Sequence, residues 1–168
     1  MSPHAGQPGP GRTQEQAVRL LRERGHSVAT AESLTAGLIS ASLAEVPGAS
    51  AVLRGGVVSY AAEVKEALLG VDPELIASRG TVDPDVARAM ARGARRACAA
   101  DWGISATGAA GPEPHDGKPV GTVYLGIAGP AEAETVLELH LTGDRERIRT
   151  ESARRALETL VEQLSRGR

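Results

Sequence analysis

The chain is expected to fold as a three-layer α/β/α domain with a mixed β-sheet, on three observations. Between residues 27 and 107 short apolar runs alternate with stretches of helical periodicity, the order that builds parallel strands through helical crossovers. Two alternating strands then follow each other across a Gly-Pro turn, which adds an antiparallel pair. The 168 residues, 41% hydrophobic and 24% charged, suffice to bury roughly 70% of the unfolded surface without disulfides or metals.

Residues 1–12, MSPHAGQPGPGR, are rich in Pro and Gly without periodicity, so a disordered leader is expected ahead of a single domain over 13–168. Thr13 and Gln16 have capping-box spacing, and Val18, Leu20 and Leu21 give the first helix an apolar stripe that ends at Gly25. SVATA (27–31) reads as a strand, and LTAGLISASLAEV (34–46) repeats Leu34, Leu38, Ile39 and Leu43 at helical spacing. AVLRGGVVSY (51–60) reads as a strand and AAEVKEALLGV (61–71) as a helix closed by Gly70. Pro73 and Pro84 each open a helix, the second being Ala- and Arg-rich, and WGISAT (102–107) follows as a buried strand. GAAGPEPHDGKPVG (108–121) is too dense in Gly and Pro for helix or central strand, and long loops in compact domains often carry function. The strands VGTVYLGIAG and AETVLELHLT precede a last amphipathic helix from Asp144 to about Ser165.

Composition narrows the function classes. A net charge of −2 argues against binding nucleic acid by bulk electrostatics. The single cysteine, Cys98, is expected to be a small buried hydrophobe. No apolar run approaches the roughly 18 residues of a membrane span, no signal core opens the chain, and a cytoplasmic protein is expected. His4, His26, His115 and His140 are scattered and no His or Cys pair has ligand spacing, so no metal is expected.

Four places put polar groups at strand ends or helix starts, where open α/β sheets hold ligands. Ser33, between a strand and a helix, is displayed as a nucleophile would be, or else it or Thr35 caps the helix. Lys65, one turn past Tyr60, suits a base only if its pKa falls by about 3 units, a cost of about 4 kcal/mol met by desolvation or a nearby cation. Otherwise it is a solvated lysine beside Glu63 and Glu66, and Tyr60 a half-buried strand residue. Thr107 and Gly108 open ATGAAGP, a loop whose amides can cradle a phosphate or an oxyanion or simply form a turn, and which lacks the P-loop ending. Arg145, in the first turn of the last helix, opposes the helix dipole as a phosphate ligand would, or it belongs to a solvated face with Asp144 as cap.

Taken together, TAESLTAGLISASLAEVPGASAVLRGGVVSYAAEVKEALLGV, ATGAAGP, KPVGTVYLGIAGP and LTGDRERIR closely resemble the CinA C-terminal domain family, over roughly Thr13 to Leu164. The resemblance implies a stand-alone nicotinamide-nucleotide amidohydrolase that converts nicotinamide mononucleotide to nicotinate mononucleotide and ammonia in pyridine-nucleotide salvage. It implies Ser33 as nucleophile, Lys65 as base, Tyr60 as its assistant, and Thr107 and Gly108 as oxyanion or amide donors. Thr35, Gly37 and Arg145 are implied as further substrate contacts, Arg145 at the phosphate. No cofactor is implied, and the partners are the nucleotide substrate and other copies of the chain in a homodimer or larger assembly, with helix 84–100 as a packing surface. The family more often has SCTGG where this chain has Ser33, Leu34, Thr35, Ala36 and Gly37, and Ala61 replaces a common Asn. The alternative to an enzyme is therefore a nucleotide-binding or regulatory module weakened by Leu34, Ala36 and Ala61.

Overall fold

The computed structural model describes residues 10–166. Helix α1 (Pro10–Arg24) is followed by β1 (Val28–Glu32), α2 (Leu38–Ala44), β2 (Leu53–Val58), α3 (Ala62–Leu69), α4 (Pro73–Arg79) and α5 (Pro84–Cys98). Then come β3 (Trp102–Gly108), β4 (Thr122–Ala128), β5 (Glu134–His140) and α6 (Arg145–Arg166). The expected leader lies outside the described residues except for its last three, which form the start of α1, so Thr13 lies inside a helix rather than capping it.

The strands form one sheet in the order β2-β1-β3-β4-β5, with β2, β1 and β3 parallel and β4 and β5 antiparallel. It is the mixed sheet that the sequence pattern predicts. On one face α1, α2 and α6 bury Leu21, Ile39, Leu43, Leu157 and Leu160 against Val28, Ile104, Leu125 and Ile127. On the other, Val86, Met90 and Ala94 of α5 and Leu69 of α3 cover Ala29 and Ala31. With no Phe in the chain, close approach replaces bulk: a Cβ at Gly103 would lie 2.0 Å from the Ala91 carbonyl. The alanine face of α5, expected to be a surface between copies, is thus turned onto the sheet.

The connections fix where a ligand can enter. From β1 the chain steps outward to β2, then crosses back to β3 on the other side of β1. The chain leaves β1 for α2 on one face of the sheet and leaves β2 for α3 on the other, so the two connections diverge and leave a crevice beyond the carboxyl ends of these strands. Ser33 follows β1, Gly108 ends β3, and Tyr60 lies just past β2 at the same edge. No helix among the described residues is long and apolar enough to cross a membrane.

Candidate active site

The helix expected to start at Leu34 starts only at Leu38, because residues 33–37 form a separate turn with Ala36 at φ 45° and Gly37 at φ 101°. Glu32 causes this. Its carboxylate, 1% exposed, accepts from the amides of Ile39 at 2.8 Å and Ser40 at 3.1 Å, and from the hydroxyls of Ser40 at 2.8 Å and Thr30 at 3.1 Å. A buried carboxylate is tolerable there because four donors and a helix N-terminus replace its hydration. Gly56 leaves room for the cluster, since a Cβ would lie 2.4 Å from Thr30 Oγ1. Neither Ser33 nor Thr35 caps α2: Gly37 occupies that position without a side-chain bond, and Thr35 Oγ1 is buried with no partner among the described residues. Glu32 was not among the residues anticipated; its signal in the sequence is an acid placed between a strand and a delayed helix. Glu32→Gln, which turns one acceptor oxygen into a donor facing donors, is expected to lower the unfolding free energy by about 1–3 kcal/mol in urea denaturation. An unchanged midpoint would mean the turn is held by something else.

Released from capping, Ser33 Oγ accepts a hydrogen bond from Lys65 Nζ at 3.0 Å. Lys65 is 0% exposed and forms no salt bridge with Glu63 or Glu66, so the solvated alternative does not hold. Its other partners are the carbonyls of Ser59 at 2.6 Å and Tyr60 at 3.1 Å. Burial lowers its pKa from 10.5 to about 8, against a smaller opposing pull from the Asp116 carboxylate. A neutral lysine has two N–H donors and one lone pair, and here two carbonyls face it beside one hydroxyl. With the donors spent on the carbonyls, the lone pair faces the proton of Ser33 Oγ.

Backbone donors lie close by. The Ser33 amide is committed to the Ala106 carbonyl at 2.9 Å, and the Ala36 amide to Ser33 at 3.1 Å. The amides of Leu34, Thr35 and Gly37 have no acceptor among the described residues. On β3, Ala109 donates to the Thr122 carbonyl at 2.9 Å. Ladder alternation therefore turns the Gly108 N–H away from β4 and toward the end of β1, where it too has no partner among the described residues. No side chain fits at Gly108, since a Cβ would lie 2.7 Å from the Thr122 carbonyl.

The remaining candidates separate. Thr107 is buried with its hydroxyl donating to the Thr81 carbonyl at 2.7 Å, which leaves it holding a loop. Tyr60 is 57% exposed; its carbonyl supports Lys65, while its phenol accepts from Arg145 at 2.7 Å. Arg145 also donates to the Gly111 carbonyl at 2.7 Å, so one guanidinium spans the crevice from the end of β2 to the loop after β3. Asp144 caps α6 through the Arg147 amide at 2.9 Å. Ser33, Tyr60, Gly108, Gly111, His115 and Arg145 line one cleft. The loop that supplies His115 is anchored by Asp116, which accepts from the Thr81 amide and hydroxyl, each at 2.7 Å. Among the described residues no three His, Cys, Asp or Glu side chains are grouped to hold a metal. Cys98 is half-buried rather than buried.

The three departures from SCTGG and its following Asn are local in effect. Leu34 turns into the core, Ala36 is exposed at a φ that glycine adopts without strain, and Ala61 is an N-cap of α3 that lacks a capping side chain.

Residues 11–164 match the model of the CinA C-terminal domain family. A CinA-like protein of Frankia casuarinae is 47% identical over 146 residues, covering 87% of this chain and 34% of its own length. One from Anaeromyxobacter dehalogenans is 51% identical over 146 residues, covering 85% and 35%. The chain therefore spans about a third of these curated relatives. Among solved structures, the competence/damage inducible protein CihA of Agrobacterium tumefaciens superposes with a TM-score of 0.89 at 34% identity, covering 98% of this chain and 99% of that one. The competence damage-inducible protein A of Klebsiella pneumoniae gives 0.91 at 30% identity, covering 96% and 100%.

Proposed function

The chain belongs to the CinA C-terminal domain family, and we propose that it hydrolyses the carboxamide of nicotinamide mononucleotide to nicotinate mononucleotide and ammonia, as a step in pyridine-nucleotide salvage. The observation that carries this reading is the buried Lys65 on Ser33 Oγ, with its two N–H groups answered by carbonyls. Neutral Lys65 takes the Ser33 proton as Oγ attacks the carboxamide carbon. The resulting oxyanion is met by unpartnered amides drawn from Gly108 and Leu34, which line the cleft beside Ser33; such donors are worth about 3–4 kcal/mol each in comparable sites. Protonated Lys65 then gives its proton to the departing nitrogen, which leaves as ammonia, and a nicotinoyl ester remains on Ser33. Water, deprotonated by the same amine, attacks the ester and releases nicotinate mononucleotide with Ser33 restored.

Arg145 supplies the reading with a phosphate ligand, since it reaches into the cleft with a planar fork that now rests on neutral oxygens. Arg145→Ala is expected to raise KM for the nucleotide about 10- to 100-fold with kcat largely kept, the loss of one or two charge-assisted bonds. Initial-rate kinetics check this, and a fall confined to kcat would remove Arg145 from substrate binding. The reading as a whole is tested by ammonia release from nicotinamide mononucleotide, nicotinamide riboside and nicotinamide by purified protein without added metal. Release restricted to the phosphorylated compound supports it. Binding of the nucleotide without release of ammonia would identify a nucleotide-binding module instead.

A further inference from the structure

Arg149 lies one turn beyond Arg145 on α6 and on the same helical side, yet it does not line the cleft. Its Nε donates to the Leu34 carbonyl at 2.7 Å, and a terminal nitrogen donates to the Thr35 carbonyl at 3.4 Å. Glutamates occupy Arg154 and Arg155 further along the helix, whereas Arg149 forms no ion pair among the described residues. Its whole charge is applied to the turn that carries Ser33. Both bonds fall on the two residues that directly follow Ser33, so Arg149 sets the path of the backbone as it leaves the candidate nucleophile.

We propose that Arg149 is a positioning residue for acyl transfer, which grips the carbonyls of Leu34 and Thr35 and so holds the turn that keeps Ser33 in place beside Lys65. The proposal rests on the serine-nucleophile reading above. Two features give the grip something to do. The turn passes through Ala36 at φ 45° and Gly37 at φ 101°, a path the chain leaves readily when nothing holds it. On its far side Glu32 fixes the amides of Ile39 and Ser40, so opposite charges hold the two ends of one short segment.

The test compares wild type, Arg149→Lys and Arg149→Ala by two readouts: ammonia release from nicotinamide mononucleotide, and modification of Ser33 by a small fluorophosphonate followed by intact mass. The second needs no knowledge of the natural substrate. Arg149→Ala is expected to lower kcat and the modification rate by about 100-fold, the effect of a reacting group displaced by about 1 Å. KM should stay within about threefold and the pH midpoint of the rate should not move, since neither Arg145 nor Lys65 is touched. Added guanidinium ion should restore at least about a tenth of the lost rate, because the vacated site is half-open to solvent. Arg149→Lys, which keeps the charge without the fork, should fall between the two. The proposal is overturned if both variants match wild type, if only KM rises, or if guanidinium restores nothing in Arg149→Ala. A wild type that neither releases ammonia nor is modified at Ser33 would bring down the proposed function first and this inference with it. A wild type modified at Ser33 with variants equal to it would bring down this inference alone.

Discussion

Replacing Lys65 by methionine is expected to reduce turnover by about 1,000-fold or more, since a positioned general base commonly contributes 100- to 10,000-fold. The wild-type profile should carry the same signature. An amine with a pKa of about 8 must be neutral to accept the Ser33 proton. On the acid side kcat/KM should therefore rise about tenfold per pH unit, bend near pH 8 and level off above it. At pH 7 roughly a tenth of the molecules hold Lys65 in the neutral form, against about three in ten thousand for an ordinary lysine. The difference, roughly 300-fold or about 3 kcal/mol, is what burial contributes to having the base ready. Methionine fills a similar volume but leaves the carbonyls of Ser59 and Tyr60 without their donor, so thermal melting should accompany the assay. A rate that is flat from pH 6 to 9, or a Lys65→Met variant of normal activity that melts like the wild type, would remove Lys65 from the chemistry.

Much of this was legible in the chain because periodicity and punctuation agree. Strands with apolar runs, helices opened by Pro73 and Pro84, and the Gly-Pro turn before β5 each state their element locally, and the order of elements states the mixed sheet. The parts that could not be read were those set by long-range contacts. The late start of α2 depends on Glu32 reaching forward to Ile39 and Ser40, and a propensity scan sees only Leu34, Leu38 and Ile39 at helical spacing. Lys65 looks like any helix lysine until the fold buries it. Its separation from Tyr60 suggests a common crevice, but of the two only Tyr60 lines the cleft, with its phenol on Arg145, while its carbonyl meets the buried amine. Thr107 reads as the opening of an amide cradle but lies inside β3, where its hydroxyl holds the Thr81 loop. Arg149 gave no sign at all, because its two carbonyl partners lie over a hundred positions away in sequence.

The fold and the candidate chemistry meet at one feature of topology. The step from β1 out to β2 and back to β3 opens the crevice, and it is the crevice that lets a serine, an amine and unpaired amides occupy the same few ångströms without competing for each other. Family membership alone would not separate an acting enzyme from a fold retained for binding, and the departures at Leu34, Ala36 and Ala61 leave the Ser33–Lys65 contact in place.

The central claim is that Ser33 is the nucleophile, and Ser33→Ala carries the largest effect expected of any single change. Removing the attacking oxygen while keeping the turn should lower ammonia release by about 10,000-fold or more, to the level left by binding and oxyanion contacts alone. The measurement is ammonia release from nicotinamide mononucleotide near pH 8.5 by wild type and Ser33→Ala side by side, with nucleotide binding to both recorded by calorimetry. Turnover by the wild type and none above background by the variant, with affinity retained in both, is the result predicted here. Equal turnover in the two proteins would contradict it and return the site to an enzyme with a different nucleophile.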